Sequence, residues 1–209
     1  PTTLAFVRLV GGQARYTFYD ENSAGRMLRE SDLPELRDDV AAVLFGCISL
    51  IAEPCGSVYE TLMAREAPRR VMYLDPNIRE IFIADRQKHL ARMRRMIALA
   101  DIVKLSDEDL AWFAEPGEEH EVIRRWLALG PKLIVVTRGA DGADAWTADF
   151  HLHVPAIRVA VADTVGAGDT VNAGILASLS QAGLLEKEKL VTLSREQVRR
   201  AVDLGTVSY

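Results

Sequence analysis

The chain has 209 residues, 49% hydrophobic and 26% charged, a balance that suits a globular α/β unit with a sizeable core and excludes a disordered or fibrous chain. Its formal net charge of -5 argues against nucleic-acid binding. Two cysteines, Cys47 and Cys55, exclude a disulfide scaffold or a zinc site and fit a reducing cytoplasm; no signal peptide or membrane-length apolar run is present.

Leu4 to Leu9 is rich in strand formers, Gly11-Gly12 signals a turn, and Arg15 to Tyr19 alternates again, which predicts an antiparallel hairpin. Val40 to Ile48 is a continuous apolar run, the pattern of a strand buried on both faces of a parallel sheet. Val58 to Ala67 is a helix candidate and Val71 to Asp75 the next strand. Arg86 to Leu99 is strongly helical, and its Lys88, Arg92, Arg94 and Arg95 read as a solvated basic face.

Ile102 to Leu105 forms another short strand, and Ser106-Asp107-Glu108-Asp109 opens a helix as a cap with acid in its first turn. Glu119 to Leu129 is amphipathic and stops at Gly130-Pro131. Leu133 to Thr137 is a strand, followed by Gly139 and Gly142 and then by strand candidates at Ala143 to Thr147 and His151 to Val154. Ser194 to Gln197 reads as the capping box of a last helix. Repeated strand–helix units predict an α/β fold with a mainly parallel sheet between helical layers over 31–209, and residues 1–30 stand apart as part of a small β lid. Ligands in such sheets bind beyond the carboxyl ends of the strands, where Asp75 to Arg79, Lys104 to Asp109, Thr137 to Gly139 and the loop after Asp163 fall.

That loop, Asp163-Thr164-Val165-Gly166-Ala167-Gly168-Asp169, carries the chemistry. Its glycines let a ligand approach the main chain, and the helix pattern from Thr170 to Leu179 would aim free N–H groups at an anion such as phosphate. A carboxylate beside an anion site makes sense as a proton acceptor, so Asp169 is the candidate general base for phosphoryl transfer to a hydroxyl. A tight turn with an Asp cap is the plainer alternative.

Residues 163 to 174 resemble the signature DTxGAGDxxxAG of the PfkB/ribokinase family of sugar kinases. The resemblance implies a three-layer ribokinase-like fold, ATP with Mg²⁺, and a sugar acceptor. It also implies an anion hole from the amides of Gly166, Ala167 and Gly168, with Thr164 beside the nucleotide. Asp75-Pro76-Asn77-Ile78-Arg79 resembles the DPNxR string of bacterial fructokinases and 2-keto-3-deoxygluconate kinases, which places Arg79 and Asn77 by the sugar. A plain turn would explain the same letters. Ser106-x-x-Asp109 resembles the family's NxxE or SxxE, which helps hold Mg²⁺ and phosphate; the shorter Asp109 fits a water-bridged role. Lys104, Thr137, Gly139 and Gly142 match the nucleotide path, while Asp163 and Val165 match positions that offer oxygens to a monovalent cation such as K⁺.

The opening strands look like a lid over the sugar, with Tyr19 or Phe18 touching substrate, and lids of this kind pair subunits into a homodimer. Both ends of the chain look cut, since the family's opening Gly-Gly segment with its sugar-binding Asp and its closing adenine segment are absent. Three readings follow: a fructokinase seen in part, a 2-keto-3-deoxygluconate kinase, or a catalytically silent nucleotide-binding module.

Overall fold

A computed structural model describes residues 1–10, 13–157 and 166–206, with backbone only at 9, 10, 13–16, 18, 205 and 206. The hairpin forms as expected: β1 (Leu4–Val10) pairs antiparallel with β2 (Gln13–Tyr19), Leu4 opposite Tyr19; its Gly11-Gly12 tip lies outside the described residues. The remaining strands form one six-stranded sheet of order β3-β4-β5-β6-β7-β8. They are β3 (Ala42–Gly46), β4 (Val71–Asp75), β5 (Ile102–Ser106), β6 (Leu133–Thr137), β7 (Ala143–Trp146) and β8 (His151–Val154). The first four are parallel, and β6, β7 and β8 form an antiparallel meander.

Sequential parallel order has a consequence. Each crossover is right-handed, so every helix between β3 and β6 falls on one face: α1 (Cys55–Glu66), α2 (Arg86–Leu99), α3 (Asp107–Trp112) and α4 (Glu119–Leu129). Met63, Met93, Ile97, Ile123 and Trp126 meet Met72, Leu74, Val103 and Ile134 there in one buried cluster. The meander then returns the chain without a crossover, and α5 (Ala167–Gln181) and α7 (Arg195–Thr206), with the short α6 (Lys187–Leu190) between them, cover the opposite face. Val171, Ile175, Leu179, Val198 and Val202 pack on Val71, Tyr73, Ile102 and Val135. Period-two alternation along β4 and β5 thus sorts one core from the other.

Two expectations shift. The strand foreseen from Val40 to Ile48 ends at Gly46, because Cys47, at φ 62, turns into a 3₁₀ turn over Cys47–Leu50. Nor is the basic face of α2 all solvated, for Arg92 is 3% exposed. Its Nη1 donates to the Leu50 carbonyl at 2.8 Å and its Nη2 to Ser57 Oγ at 3.0 Å and to Glu53. The long aliphatic stem crosses the interior while the guanidinium finds acceptors on α1 and its approach. Arg95 and Arg94 pair with Glu60 and Glu115.

Candidate active site

The site grows from the carboxyl end of β4. Asp75 Oδ1 accepts the Asn77 N–H at 3.1 Å, an Asx turn, and Asn77 takes φ 40, a left-handed conformation that Asn tolerates. One residue on, the Ile78 N–H donates to Asp109 Oδ1 at 2.9 Å. The other oxygen of Asp109 accepts the Ser106 N–H at 3.2 Å, while Ser106 Oγ accepts the Asp109 N–H at 3.0 Å. The capping box of α3 therefore also anchors the 75–79 turn. Burial, with a smaller push from the charge of Asp75, raises the Asp109 carboxyl above the usual range against the pull of its backbone donors. Arg79 stands exposed on the rim, its Nη1 donating to the Ile78 carbonyl at 2.9 Å.

Behind the turn lies a buried polar group of four. Tyr73 pairs with Ile102 and Leu74 with Val103 across the parallel ladder, and the same register brings Asp75 beside Lys104. Asp75 Oδ2 accepts from Lys104 Nζ at 3.0 Å and from Asn172 Nδ2 at 2.7 Å, and Asn172 Oδ1 accepts the Tyr73 hydroxyl at 3.0 Å. All four side chains are buried. Asn172 belongs to α5, so the network ties the sheet edge to the helix that starts at the glycine loop.

Gly166 caps α5 at φ 82, and its carbonyl accepts the Thr170 N–H at 2.9 Å and Thr170 Oγ1 at 3.0 Å. A Cβ there would meet nothing within 4 Å, which leaves open space over the loop. The first-turn N–H groups of a helix lack partners within the helix, and in α5 these belong to Ala167, Gly168 and Asp169. Asp169, in that turn, is exposed. At the end of β6, Thr137 Oγ1 donates to the Leu105 carbonyl at 3.4 Å, and Gly139 opens the next turn at φ 52 with no atom within 4 Å of a Cβ.

The model of the pfkB family of carbohydrate kinases matches residues 1–206. The chain belongs to that family. It is 54% identical over 203 residues to a fructokinase of Rhizobium leguminosarum bv. trifolii, covering 97% of this chain and 62% of that protein. Among solved structures, the fructokinase of Xylella fastidiosa with bound ATP superposes with a TM-score of 0.81 at 26% identity, over 99% of this chain and 67% of that one. A fructokinase double mutant from Vibrio cholerae O395, bound to fructose, ADP and potassium ion, gives 0.79 at 28% identity, over 91% and 59%. The chain spans about six tenths of the length of the Rhizobium fructokinase.

Within this pfkB-family chain the foreseen site residues separate. Gly166, Ala167, Gly168 and Asp169, the turn at Asn77 and Arg79, and the ends of β5 and β6 all lie at the carboxyl edge of the sheet. Gly142 has a packing role: at φ 95, a Cβ would lie 2.1 Å from the Val154 carbonyl oxygen. Lys104 does not reach out toward a nucleotide; its ammonium is buried against Asp75, behind Gly168. Tyr19 is exposed on the hairpin, edge-on to Phe6 at 5.6 Å, and for Phe18 only the backbone is described. Asp163, Thr164 and Val165 lie outside the described residues, so the cation site foreseen there does too.

Sequence reasoning passed over Tyr73 and Asn172. Each is a polar group in an otherwise apolar stretch, and that was the available signal. Among the described residues no three metal-capable side chains cluster, and both Asp109 oxygens already accept N–H donors. The described residues thus supply no divalent-ion cage of their own, which suits an ion carried by nucleotide phosphates. Beside the site, a cavity of about 450 Å³ lined by Asp20, Arg26, Ile51, Phe82, Lys88 and His89 opens beyond β3 and β4 without including the α5 loop.

Proposed function

We propose that this chain carries the phosphoryl-transfer centre of an ATP-dependent sugar kinase whose acceptor is fructose. One observation supports it above the rest: a helix N-terminus with an open glycine loop and a carboxylate in its first turn, set beyond the carboxyl ends of a parallel sheet. The exposed Asp169 takes the proton of a sugar hydroxyl as that oxygen bonds to the γ-phosphorus and the bond to the departing ADP breaks. Amides of the loop and the exposed guanidinium of Arg79 offset the charge on the moving phosphoryl group. Mg²⁺ enters this reading as the companion of ATP.

Fructose is preferred over 2-keto-3-deoxygluconate because the Rhizobium relative and the Xylella and Vibrio structures are named fructokinases. The hairpin exposes Leu4, Phe6, Val7 and Tyr19, and a lone two-stranded ribbon is marginal in water. That apolar ribbon supports a homodimer formed through the lid.

The test measures ADP release and sugar phosphate with fructose, 2-keto-3-deoxygluconate, ribose and adenosine, on protein checked by intact mass. Fructose should lead the panel. Asp169→Asn should lower kcat by about two to four orders of magnitude with an unchanged melting temperature. ATP binding without turnover on any acceptor would instead establish the silent module.

A further inference from the structure

We infer that Lys104 is a positioning residue for phosphoryl transfer, a buried cation that backs the Gly166–Gly168 loop from beneath and couples it to the Asp75–Arg79 turn. The inference rests on the kinase reading above. Lys104 Nζ lies 3.0 Å from Asp75 Oδ2, and a Cβ added to Gly168 would approach that same nitrogen to 2.8 Å. No larger residue fits at 168 without moving the ammonium, so the loop glycine and the buried charge are built against each other.

The pair is a poor stability device. Desolvating both charges offsets much of their attraction, and a packed apolar pair in such a place is commonly as stable. Its placement explains it better. The single Asp75 carboxylate orders the Asn77 N–H with one oxygen, and with the other holds Lys104 and the Asn172 amide of α5. Through it, the turn that carries Arg79 and the helix that carries Asp169 share one fixed point. A lysine ammonium has three donors and is adaptable in direction. Balanced by Asp75 while the loop is empty, it adds positive potential behind the amides once a phosphoryl group arrives, in a site where low dielectric magnifies the effect.

Lys104→Gln keeps a donor and removes the charge. The expected result is a kcat about 10 to 100 times lower with the KM for fructose changed less than threefold. A transition-state mimic, Mg-ADP with aluminium fluoride and fructose, should bind about 10 to 100 times more weakly while Mg-ADP alone changes less than threefold. Gly168→Ala, which displaces the ammonium but leaves its charge, should weaken the mimic in the same selective way and serves where Lys104→Gln does not fold. Equal weakening of mimic and Mg-ADP, or no change in a folded variant, overturns the inference. Failure of the wild-type protein to phosphorylate any sugar would overturn the kinase reading itself, a different outcome.

Discussion

The two ends of one sheet bury charge in opposite ways. At the amino end, Glu66 is fully buried and accepts Nε donors of Arg65 and Arg70, both at 2.8 Å. Arg70, 4% exposed, gives its other nitrogens to the carbonyls of Val40 and Leu36. Beside them Asp101 receives the Met72 N–H at 2.8 Å and the Lys187 ammonium. Every donor ends on a fixed acceptor of the chain itself, and the Arg70 bond, against the opposing effect of burial, holds the Glu66 carboxyl below its ordinary range. At the carboxyl end, Lys104 and Asp75 sit against an open glycine loop, and Asp109 is pushed up rather than down. Saturated charge staples the strand starts together; at the other end a buried ion pair backs a glycine loop that opens to space at Gly166.

Cutting the amino-end staple should give the largest stability effect. Arg70→Met leaves the buried Glu66 carboxylate with only the more exposed Arg65 and Arg69 and takes the Arg70 donors from the carbonyls of Val40 and Leu36. The expected loss is about 3 to 5 kcal/mol by urea denaturation, with turnover per folded molecule unchanged. Reduced turnover in the folded fraction would erase the distinction between the two ends.

Much of this was legible in the sequence where local chemistry decides. Strands β4, β5 and β6 formed where short strands were read, and both caps formed: Ser106 with Asp109, and Ser194 with Gln197, whose bonds measure 2.8 and 3.2 Å. The run from Val40 to Ile48, expected to be buried on both faces, instead supplies the end strand β3, with Leu44 44% exposed. The anion loop was legible because glycines, a carboxylate and a helix start coincide in seven residues. What stayed hidden depends on register and on partners distant in the chain. Arg92 looked like its neighbours on α2 until the turn before α1 supplied Glu53 and α1 itself Glu60, 39 and 32 residues away. Lys104 looked like a phosphate ligand until the β4–β5 register set Asp75 beside it. Asn172 drew no notice in the helix pattern, and only the packing of α5 shows it bonded to Tyr73 and Asp75.

A smaller effect should follow from Asp109, the joint between cap and turn. Asp109→Asn offers one oxygen where the Ser106 and Ile78 N–H groups need one each. We expect a loss of about 1 to 2 kcal/mol and a raised KM for fructose, since the 75–79 turn loses its anchor. Unchanged kinetics with the expected stability loss would confine Asp109 to capping and narrow the functional end to the Asp75–Lys104 pair.

The smallest effect separates the two ends by pH. His89 on α2 is 5% exposed, borders the 450 Å³ cavity and lies edge-on to Trp112 at 5.8 Å, and among the described residues neither ring nitrogen has a partner at full hydrogen-bond geometry. Burial, then the Arg92 charge, lowers its pKa to about 4, with the Leu50 carbonyl acting weakly the other way. The unfolded chain therefore takes up the proton first, so stability is full above the ordinary value of 6.5 and falls as pH drops toward 4. Solvent reaching the ring screens the effect, and the loss by pH 5 should be about 1 kcal/mol. Glu66, lowered in the folded state, loses its contribution only below its ordinary 4.5. Urea denaturation from pH 7.5 to 3.5 should show these as separate windows. His89→Phe should flatten the upper window and leave the lower one in place; a slope that survives the substitution would assign it to another group and remove His89 from the set of charge-resisting residues at the functional end.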